Sequence, residues 1–267
     1  MKDSDRPVGI FDSGLGGLTV FKALRDLLPG ENLIYFGDTA RVPYGTKSAQ
    51  AVISFSSEIT RFLLERRIKL LIVACNTASS LALDEIRKIS PVPVMGVIKP
   101  GVDAAAAALP HGGRVLVTGT TATVNSRAYS RALAAAAPAL DVTEKACPLF
   151  VPIVEEGWCS KPVAALVARE YLAPFRRRKI DALILGCTHY PMLKRVIARV
   201  MGPKVKIVDS ARAAALAARA ELESRGLLNR GRRGASEFVV SDAPERFSDL
   251  AGRLLGIRTG RVAVKRF

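Results

Sequence analysis

The chain is poor in cysteine and histidine and has no long apolar run, and each shortage excludes a class of protein. No stretch approaches the roughly 20 apolar residues of a transmembrane helix, and the polar N-terminal residues do not form a secretory signal peptide. The 4 cysteines include no CxxC pair, so neither a disulfide framework nor a structural zinc site is indicated. We expect a cytoplasmic protein with free thiols and no metal, in which Cys147 and Cys159 are core residues.

Acidic residues are also few, 24 against 40 basic ones, which gives a net charge of +16. A basic excess is one sign of nucleic-acid binding, so a basic, nucleic-acid-associated regulatory protein is one alternative. Aromatic residues make up only 6% of the chain and do not interleave with the basic ones, whose clusters are short, such as Arg176–Lys179 and Arg230–Arg233. We favour a solvated basic surface, which would suit an anionic substrate.

The chain does have a regular alternation of strand-like apolar runs and helix-like patterns, which predicts an α/β protein. We predict two similar domains, each a mostly parallel open sheet flanked by helices, with the active site in the cleft between them. The first domain is predicted to comprise residues 1–98 completed by 210–267, and the second residues 99–209. Lys99-Pro100-Gly101 is interpreted as the crossing between them, ahead of a short helix over 103–109.

One pattern occurs twice: an apolar run of strand length ends in a cysteine that small polar residues follow. Residues 70–78 contain Cys75, and residues 182–189 contain Cys187. Because open α/β sheets place their chemistry at the carboxyl ends of parallel strands, we expect the two thiols to form one site. Two thiols on opposite faces of a carbon can remove a proton from one face and return a proton to the other.

Each cysteine has a candidate acid–base partner in the sequence. Asp12 ends the first predicted strand and could assist Cys75, while His189 or Glu155 could assist Cys187. A free thiol has a pKa near ~8.5. A cationic neighbour lowers that pKa, and a carboxylate can accept the proton.

Other interpretations of these residues stay open. Cys187, His189 and His111 could ligate a metal, although they form a thin ligand set. Cys187 and His189 could instead belong to a single-nucleophile hydrolase. We expect the two side chains to point in different directions at a strand end, however, and Cys75 would then have no role. His189 could also be a core histidine.

A glycine-rich loop, Gly14–Gly17, lies between the first predicted strand and a predicted helix. It resembles the start of a dinucleotide-binding fingerprint, but Thr19 stands where the third glycine belongs. Together with Asp38, this loop leaves a dinucleotide-dependent oxidoreductase as an alternative. Glycines at a helix N-terminus also let backbone N–H groups approach a carboxylate closely.

Four motifs stand out along the chain: Gly9–Gly14, Tyr35–Arg41, Ala74–Ala78 and Gly186–Pro191. In their order and spacing they resemble the motifs of the bacterial glutamate racemases, within the aspartate/glutamate racemase family. The resemblance implies a cofactor-independent racemase that supplies D-glutamate for peptidoglycan synthesis. It covers nearly the whole chain up to Ser210, and the residues after Ser210 match no motif.

The resemblance also implies a role for individual residues. Cys75 would act on the D-enantiomer with Asp12, and Cys187 on the L-enantiomer with Glu155 and His189. Substrate binding would fall to ten residues: Asp12, Ser13, Tyr44, Gly45, Asn76, Thr77, Thr120, Thr121, Thr188 and His189.

Three further expectations concern substrate and partners. Glutamate is the expected substrate, with aspartate as the alternative because related aspartate racemases use two cysteines in the same way. A homodimer is expected, with no cofactor and no membrane contact. Some members of the family inhibit gyrase, but no motif in this chain supports an association with gyrase or nucleic acid.

Overall fold

The computed structural model describes residues 2–231 and 233–267. Met1, assigned to the first domain, and Arg232, assigned to that domain and to a basic cluster, lie outside the described residues. The strands are β1 Val8–Asp12, β2 Leu33–Gly37, β3 Leu70–Val73, β4 Val94–Gly96, β5 Gly113–Gly119, β6 Leu140–Ala146, β7 Ala182–Gly186, β8 Lys206–Asp209, β9 Ser236–Val240 and β10 Val262–Val264. The α-helices are α1 Leu18–Leu27, α2 Ala49–Glu65, α3 Asn76–Leu81, α4 Leu83–Ile89, α5 Ile98–Ala108, α6 Thr121–Asn125, α7 Ala128–Ala136, α8 Phe150–Glu155, α9 Pro162–Arg176, α10 Lys194–Met201, α11 Ser210–Ser224 and α12 Pro244–Leu255.

The strands form two parallel sheets. The first has the order β10-β9-β2-β1-β3-β4 and the second the order β6-β5-β7-β8, and every pair of neighbours is parallel. Parallel neighbours require crossover connections, which the helices provide. The predicted α/β class, with mostly parallel sheets flanked by helices, is confirmed. The predicted domain limits stay a prediction, although β9 and β10 lie in the first sheet as that prediction requires.

Both faces of each sheet are covered, which explains why the strands are nearly continuous apolar runs. In the first sheet, alternate residues such as Ile10 and Ile72 face a core shared with α1, α11 and α12. Their neighbours Phe11 and Val73 face a second core with α2 and α3. The second sheet has two cores of its own in the same way. The strands are therefore rigid supports for whatever follows their carboxyl ends.

Helix α5 differs from the sequence prediction. It begins at Ile98, so Lys99-Pro100-Gly101 lies inside its first turn rather than in a crossing loop. A proline is tolerated in the first turn of a helix because the N–H it lacks has no intrahelical partner there. Among the residues that the structure describes, none of the helices combines the length and apolarity needed to cross a membrane.

Candidate active site

The predicted site residues follow equivalent strands in the two sheets. In the first sheet β1 lies between β2 and β3, and in the second sheet β5 lies between β6 and β7. The strand order therefore reverses beside β1 and beside β5. Ligands of open α/β sheets bind at this switch point, outside the carboxyl ends of the strands. Asp12 is the last residue of β1 and Cys75 follows β3 there, while Thr120 and Cys187 follow β5 and β7.

These strand ends enclose one small cavity. Its volume is about 10 Å³, which is room for about one water molecule. The Cys75 and Cys187 side chains are both buried. A substrate of amino-acid size does not fit in this volume, so the cavity walls must move apart before it can enter. The walls are formed by twelve residues: Ser13, Pro43, Tyr44, Gly45, Cys75, Asn76, Thr77, Thr120, Val151, Cys187, Thr188 and His189.

A larger cavity of about 570 Å³ adjoins the small one. The two cavities share the wall residues Pro43, Gly45, Thr120 and Val151. The remaining predicted residues, Thr121 and Glu155, line only the larger one. The structure thus brings all the predicted site residues to one region, where Asp12 is fully buried and bonded to Thr188.

Cys75 lies in an anionic, buried environment. Burial, and after it the charge of Asp12, raise the pKa of the Cys75 thiol to about 12. The Asp12 carboxylate is itself fully buried, and it accepts hydrogen bonds from the Gly14 N–H at 3.1 Å and the Thr188 hydroxyl at 3.1 Å. Burial raises the pKa of Asp12 although these donors and the charge of His189 oppose the increase. Cys75 is therefore a neutral thiol beside a group that can accept its proton.

Cys187 has a cationic partner instead. The Cys187 Sγ lies 3.8 Å from Nδ1 of His189, and Nε2 of His189 lies 2.6 Å from Oε1 of Glu155. Burial opposes a charge on the imidazole, but the hydrogen bonds to Cys187 and Glu155 raise the pKa of His189 well above its ordinary value. Burial likewise opposes ionisation of Glu155, yet its bond to His189 holds the pKa of that carboxyl below its usual value. A protonated His189 can donate to both neighbours at once.

The expectation that Cys187 and His189 point in different directions is wrong. Strand β7 ends at Gly186, and the residues that follow form a turn rather than a continued strand. The turn brings both side chains to the same side. The structure also separates the two adjacent acids, because Glu155 contacts His189 while Glu156 pairs with Arg246 at 3.0 Å.

Polar contacts join the two sheets around the cavity. The Thr77 and Thr120 hydroxyls are 2.9 Å apart, and the Asn76 amide donates to the Tyr129 hydroxyl at 2.8 Å. The Asn76 carbonyl oxygen is buried, and the part of the chain that the structure describes offers it no hydrogen-bond partner. It is free to accept a hydrogen bond from a ligand such as an ammonium group.

The glycine-rich loop is explained by contacts within the protein. A Cβ at Gly16 would lie 2.5 Å from Nδ1 of His189, and one at Gly17 would lie 2.4 Å from Cβ of Asp12. The absence of a Cβ at Gly16 and at Gly17 thus makes room for the side chains of His189 and Asp12, not for a pyrophosphate. The Asp38 carboxylate, the other feature that suggested a dinucleotide, accepts hydrogen bonds from Arg41, Tyr44 and Ser241.

The other cysteine and histidine residues do not join the site. Across residues 2–231 and 233–267 there is no cluster of three or more potential metal ligands, and His111 is exposed. Cys147 is buried as expected, whereas Cys159 is only partly buried and packs against the outside of a core of the second sheet.

Sequence reasoning missed several residues that shape the cavity. Pro43 and Val151 form part of its wall, and Tyr129 bonds to Asn76 from α7. Pro43 and Val151 carry no reactive group, and no local pattern pairs Tyr129 with a residue of the other sheet. Only the position of Pro43 beside Tyr44 in a long polar loop could have suggested its role.

Comparison with known proteins shows similarity along almost the whole chain. The family model described as "Asp/Glu/Hydantoin racemase" matches residues 18–218. A glutamate racemase from Geobacter metallireducens is 50% identical over 259 residues, which cover 96% of this chain and 95% of the relative.

Two solved structures are similar in fold as well as sequence. The glutamate racemase from Thermus thermophilus in complex with beta-chloro-D-alanine has a TM-score of 0.90 and 48% identity, and the match covers 100% of this chain and 99% of that one. The glutamate racemase from Francisella tularensis in complex with D-glutamate has a TM-score of 0.91 and 39% identity, over 98% of each chain.

Proposed function

We propose that this chain, which belongs to the Asp/Glu/Hydantoin racemase family, is an enzyme that interconverts L-glutamate and D-glutamate. One observation carries the mechanism. Two buried cysteines from equivalent strand ends of two sheets line the same cavity, and each has its own acid–base partner. A single-nucleophile mechanism would need only one of them.

We propose that the two thiols work as a base and an acid on opposite faces of the substrate. One cysteine, as the thiolate, takes the α-proton, and the electron pair stays on Cα and its carboxylate. The other cysteine, as the thiol, gives its proton to the opposite face of Cα. The product has inverted configuration, and the thiol and thiolate have exchanged places, so no oxidant, reductant or cofactor is consumed. Each proton transfer contributes on the order of 10²–10⁴-fold.

In this scheme Cys187 deprotonates L-glutamate and Cys75 deprotonates D-glutamate. Protonated His189 donates toward the Cys187 sulfur, and Glu155 holds that imidazole in place. Asp12 accepts the proton of Cys75. The cavity walls supply hydroxyl groups for the substrate carboxylates, such as those of Thr77 and Thr120. Exclusion of water from so small a cavity strengthens these hydrogen bonds as negative charge develops on the substrate.

The substrate follows from the relatives. The relative at 50% identity is a glutamate racemase, and the Francisella tularensis enzyme was crystallised with D-glutamate. We therefore propose glutamate rather than aspartate. A cytoplasmic location, a homodimer and a role in supplying D-glutamate for peptidoglycan are part of the same proposal, since they are the properties that the family resemblance implies.

Deuterium exchange tests the activity directly. Purified protein is incubated in D₂O with L-glutamate, D-glutamate, L-aspartate or D-aspartate, without any added cofactor. We expect α-deuterium in the product and loss of optical rotation from both enantiomers of glutamate, with far slower turnover of aspartate. No exchange from either glutamate enantiomer would refute the proposal, and preferential turnover of aspartate would change the substrate.

A further inference from the structure

The chain after Ser210 matches no sequence motif, yet it contacts the loop that walls the cavity. Strand β9 lies beside β2, and the Ser241 N–H donates to the Gly37 carbonyl at 3.1 Å. The residues that follow the two strands therefore leave the sheet side by side. The Asp242 N–H donates to the Thr39 hydroxyl at 2.9 Å, which joins the two segments a second time.

The centre of this contact is the buried carboxylate of Asp38. One oxygen accepts a hydrogen bond from the Ser241 hydroxyl at 2.8 Å. The other accepts from Nε of Arg41 at 2.7 Å and from the Tyr44 hydroxyl. The Ser241 hydroxyl in turn accepts from the Ala40 N–H at 2.9 Å. Ser241 thus bonds to both the side chain and the backbone of the loop that leads to Tyr44.

Tyr44 and Gly45 are the part of that loop that reaches the cavity. Tyr44 lines the cavity, but its hydroxyl is not free because it is bonded to Asp38. Gly45 packs directly on the second sheet's side of the cavity, where an added Cβ would lie only 2.6 Å from Cβ of Thr120. A small displacement of the loop therefore changes the shape of the substrate cavity.

We propose that Ser241 is a positioning residue of the racemase site: it holds Asp38 in the orientation that anchors Tyr44 and sets the wall formed by Tyr44 and Gly45. The proposal rests on the racemase function proposed above. It assigns a role in the site to a segment of the chain that lies outside every recognised motif, and it makes Asp38 an anchor of that wall rather than a ligand for a ribose.

Loss of the Ser241 hydroxyl has a local physical consequence. One oxygen of a buried carboxylate loses a donor and the Ala40 N–H loses its acceptor, and unsatisfied buried polar groups are costly. Arg41 still holds the other oxygen of Asp38, because its guanidinium is fixed by Glu58 at 2.6 Å and by the Phe55 ring at 4.2 Å. The carboxylate therefore rotates toward Arg41, and the Tyr44 loop moves with it while the fold persists.

Steady-state kinetics of three variants test this role. Ser241→Ala removes the hydroxyl, Ser241→Thr keeps it, and Ser248→Ala is the matched control, because Ser248 bonds to Thr259 at 2.7 Å in the same C-terminal segment away from the cavity. For Ser241→Ala we expect KM for both glutamate enantiomers to rise about tenfold, the order of a lost hydrogen bond to a charged group, with kcat changed much less. Ser241→Thr restores KM, and Ser248→Ala does not change it.

The outcomes separate this proposal from the racemase proposal. If the unaltered protein does not racemise glutamate, the racemase proposal fails. If the unaltered protein is active and Ser241→Ala has an unchanged KM, with or without a lower melting temperature, Ser241 has only a structural role and the inference is wrong. If Ser241→Ala does not fold, Tyr44→Phe removes the donor at the other side of Asp38 and carries the same expectation. An unchanged KM in that variant overturns the inference equally.

Discussion

Cys75 and Cys187 occupy equivalent positions in two sheets of similar topology, yet their surroundings have opposite charge. Cys75 lies beside the buried Asp12 carboxylate, and burial together with that charge raises its pKa to about 12. Cys187 lies 3.8 Å from a histidine whose hydrogen bonds to Cys187 and Glu155 raise its pKa well above the ordinary value. The repeated architecture thus places both thiols at equivalent positions, while the neighbouring residues raise the pKa of one thiol and give the other a cationic partner.

This difference means that the two thiols have different acid–base partners: a carboxylate that can accept the proton of Cys75, and a histidine that can donate toward the sulfur of Cys187. In the proposed mechanism, proton transfer at Cys75 and proton transfer at Cys187 are therefore distinct steps. Free L- and D-glutamate have equal free energies, so kcat/KM must be the same in both directions whatever the residues do. Any asymmetry must therefore appear in individual steps and not in the overall specificity constants.

The largest expected effect is the loss of either thiol. Cys75→Ser and Cys187→Ser should each lower the racemisation rate by about 10³-fold or more, because a serine hydroxyl is a far weaker acid and base at this position. The rate is measured by circular dichroism with each enantiomer of glutamate. Cys159→Ser, a partly buried cysteine outside the cavity, is the control and should keep its activity. If one of the two variants retained most of its activity, the two-thiol mechanism would be wrong.

A smaller and more discriminating effect is expected from the partners of the thiols. Asp12→Asn and His189→Asn should each lower kcat by about 10²-fold, the lower range for a group in proton transfer. Asp12→Asn slows the step at Cys75, so the primary isotope effect should increase with α-deuterated D-glutamate and decrease with α-deuterated L-glutamate. His189→Asn should show the reverse.

Glu156→Gln provides the control for these isotope effects, because Glu156 pairs with Arg246 on the surface rather than with His189. It should leave both isotope effects as they are in the unaltered protein. Equal changes with the two enantiomers in both partner variants would mean that Asp12 and His189 do not serve separate thiols.

The smallest expected effect concerns stability. Because burial raises the pKa of Asp12 above its unfolded value of 3.8, ionised Asp12 opposes folding. Its contribution is most favourable below that value and is lost as the pH rises through the folded pKa. Asp12→Asn should therefore be more stable than the unaltered protein at pH 8, and the difference should shrink toward pH 4.

Urea unfolding across this pH range measures that difference. Asparagine can keep the bond from the Gly14 N–H and donate to the Thr188 hydroxyl, so the comparison isolates the charge. Asp26→Asn, which removes an exposed carboxylate paired with Lys22, should show no comparable trend. A pH-independent difference for Asp12→Asn would mean that burial of its charge does not oppose folding.

Much of this site could be predicted from the sequence because its signals are local. The run of apolar residues before Cys75 and before Cys187 predicts a strand, and the carboxyl end of a parallel strand predicts a site. The comparisons confirm the predicted racemase family and the α/β class. The roles of individual residues stay predictions, because they require kinetic measurements.

Other parts of the site could not be predicted because they depend on contacts between distant segments. The Ser241–Asp38 bond joins residues more than two hundred positions apart, through the pairing of β9 with β2. The approach of His189 to Gly16 likewise joins the two sheets. The turn after β7 also reversed an expectation, since strand alternation ends at Gly186 and no longer decides where Cys187 and His189 point.

The sequence by itself determined the α/β class and the family, and it predicts which residues carry the chemistry: two cysteines that each follow a strand, with Asp12, Glu155 and His189 as their partners. Strand periodicity and residue type are local properties, and they are sufficient to predict which residues are candidates for the chemistry. Only the tertiary structure decided how the two halves differ, since burial and charge depend on what packs against each thiol. It also decided that the cavity is closed to about 10 Å³ and that the chain after Ser210 supports its wall.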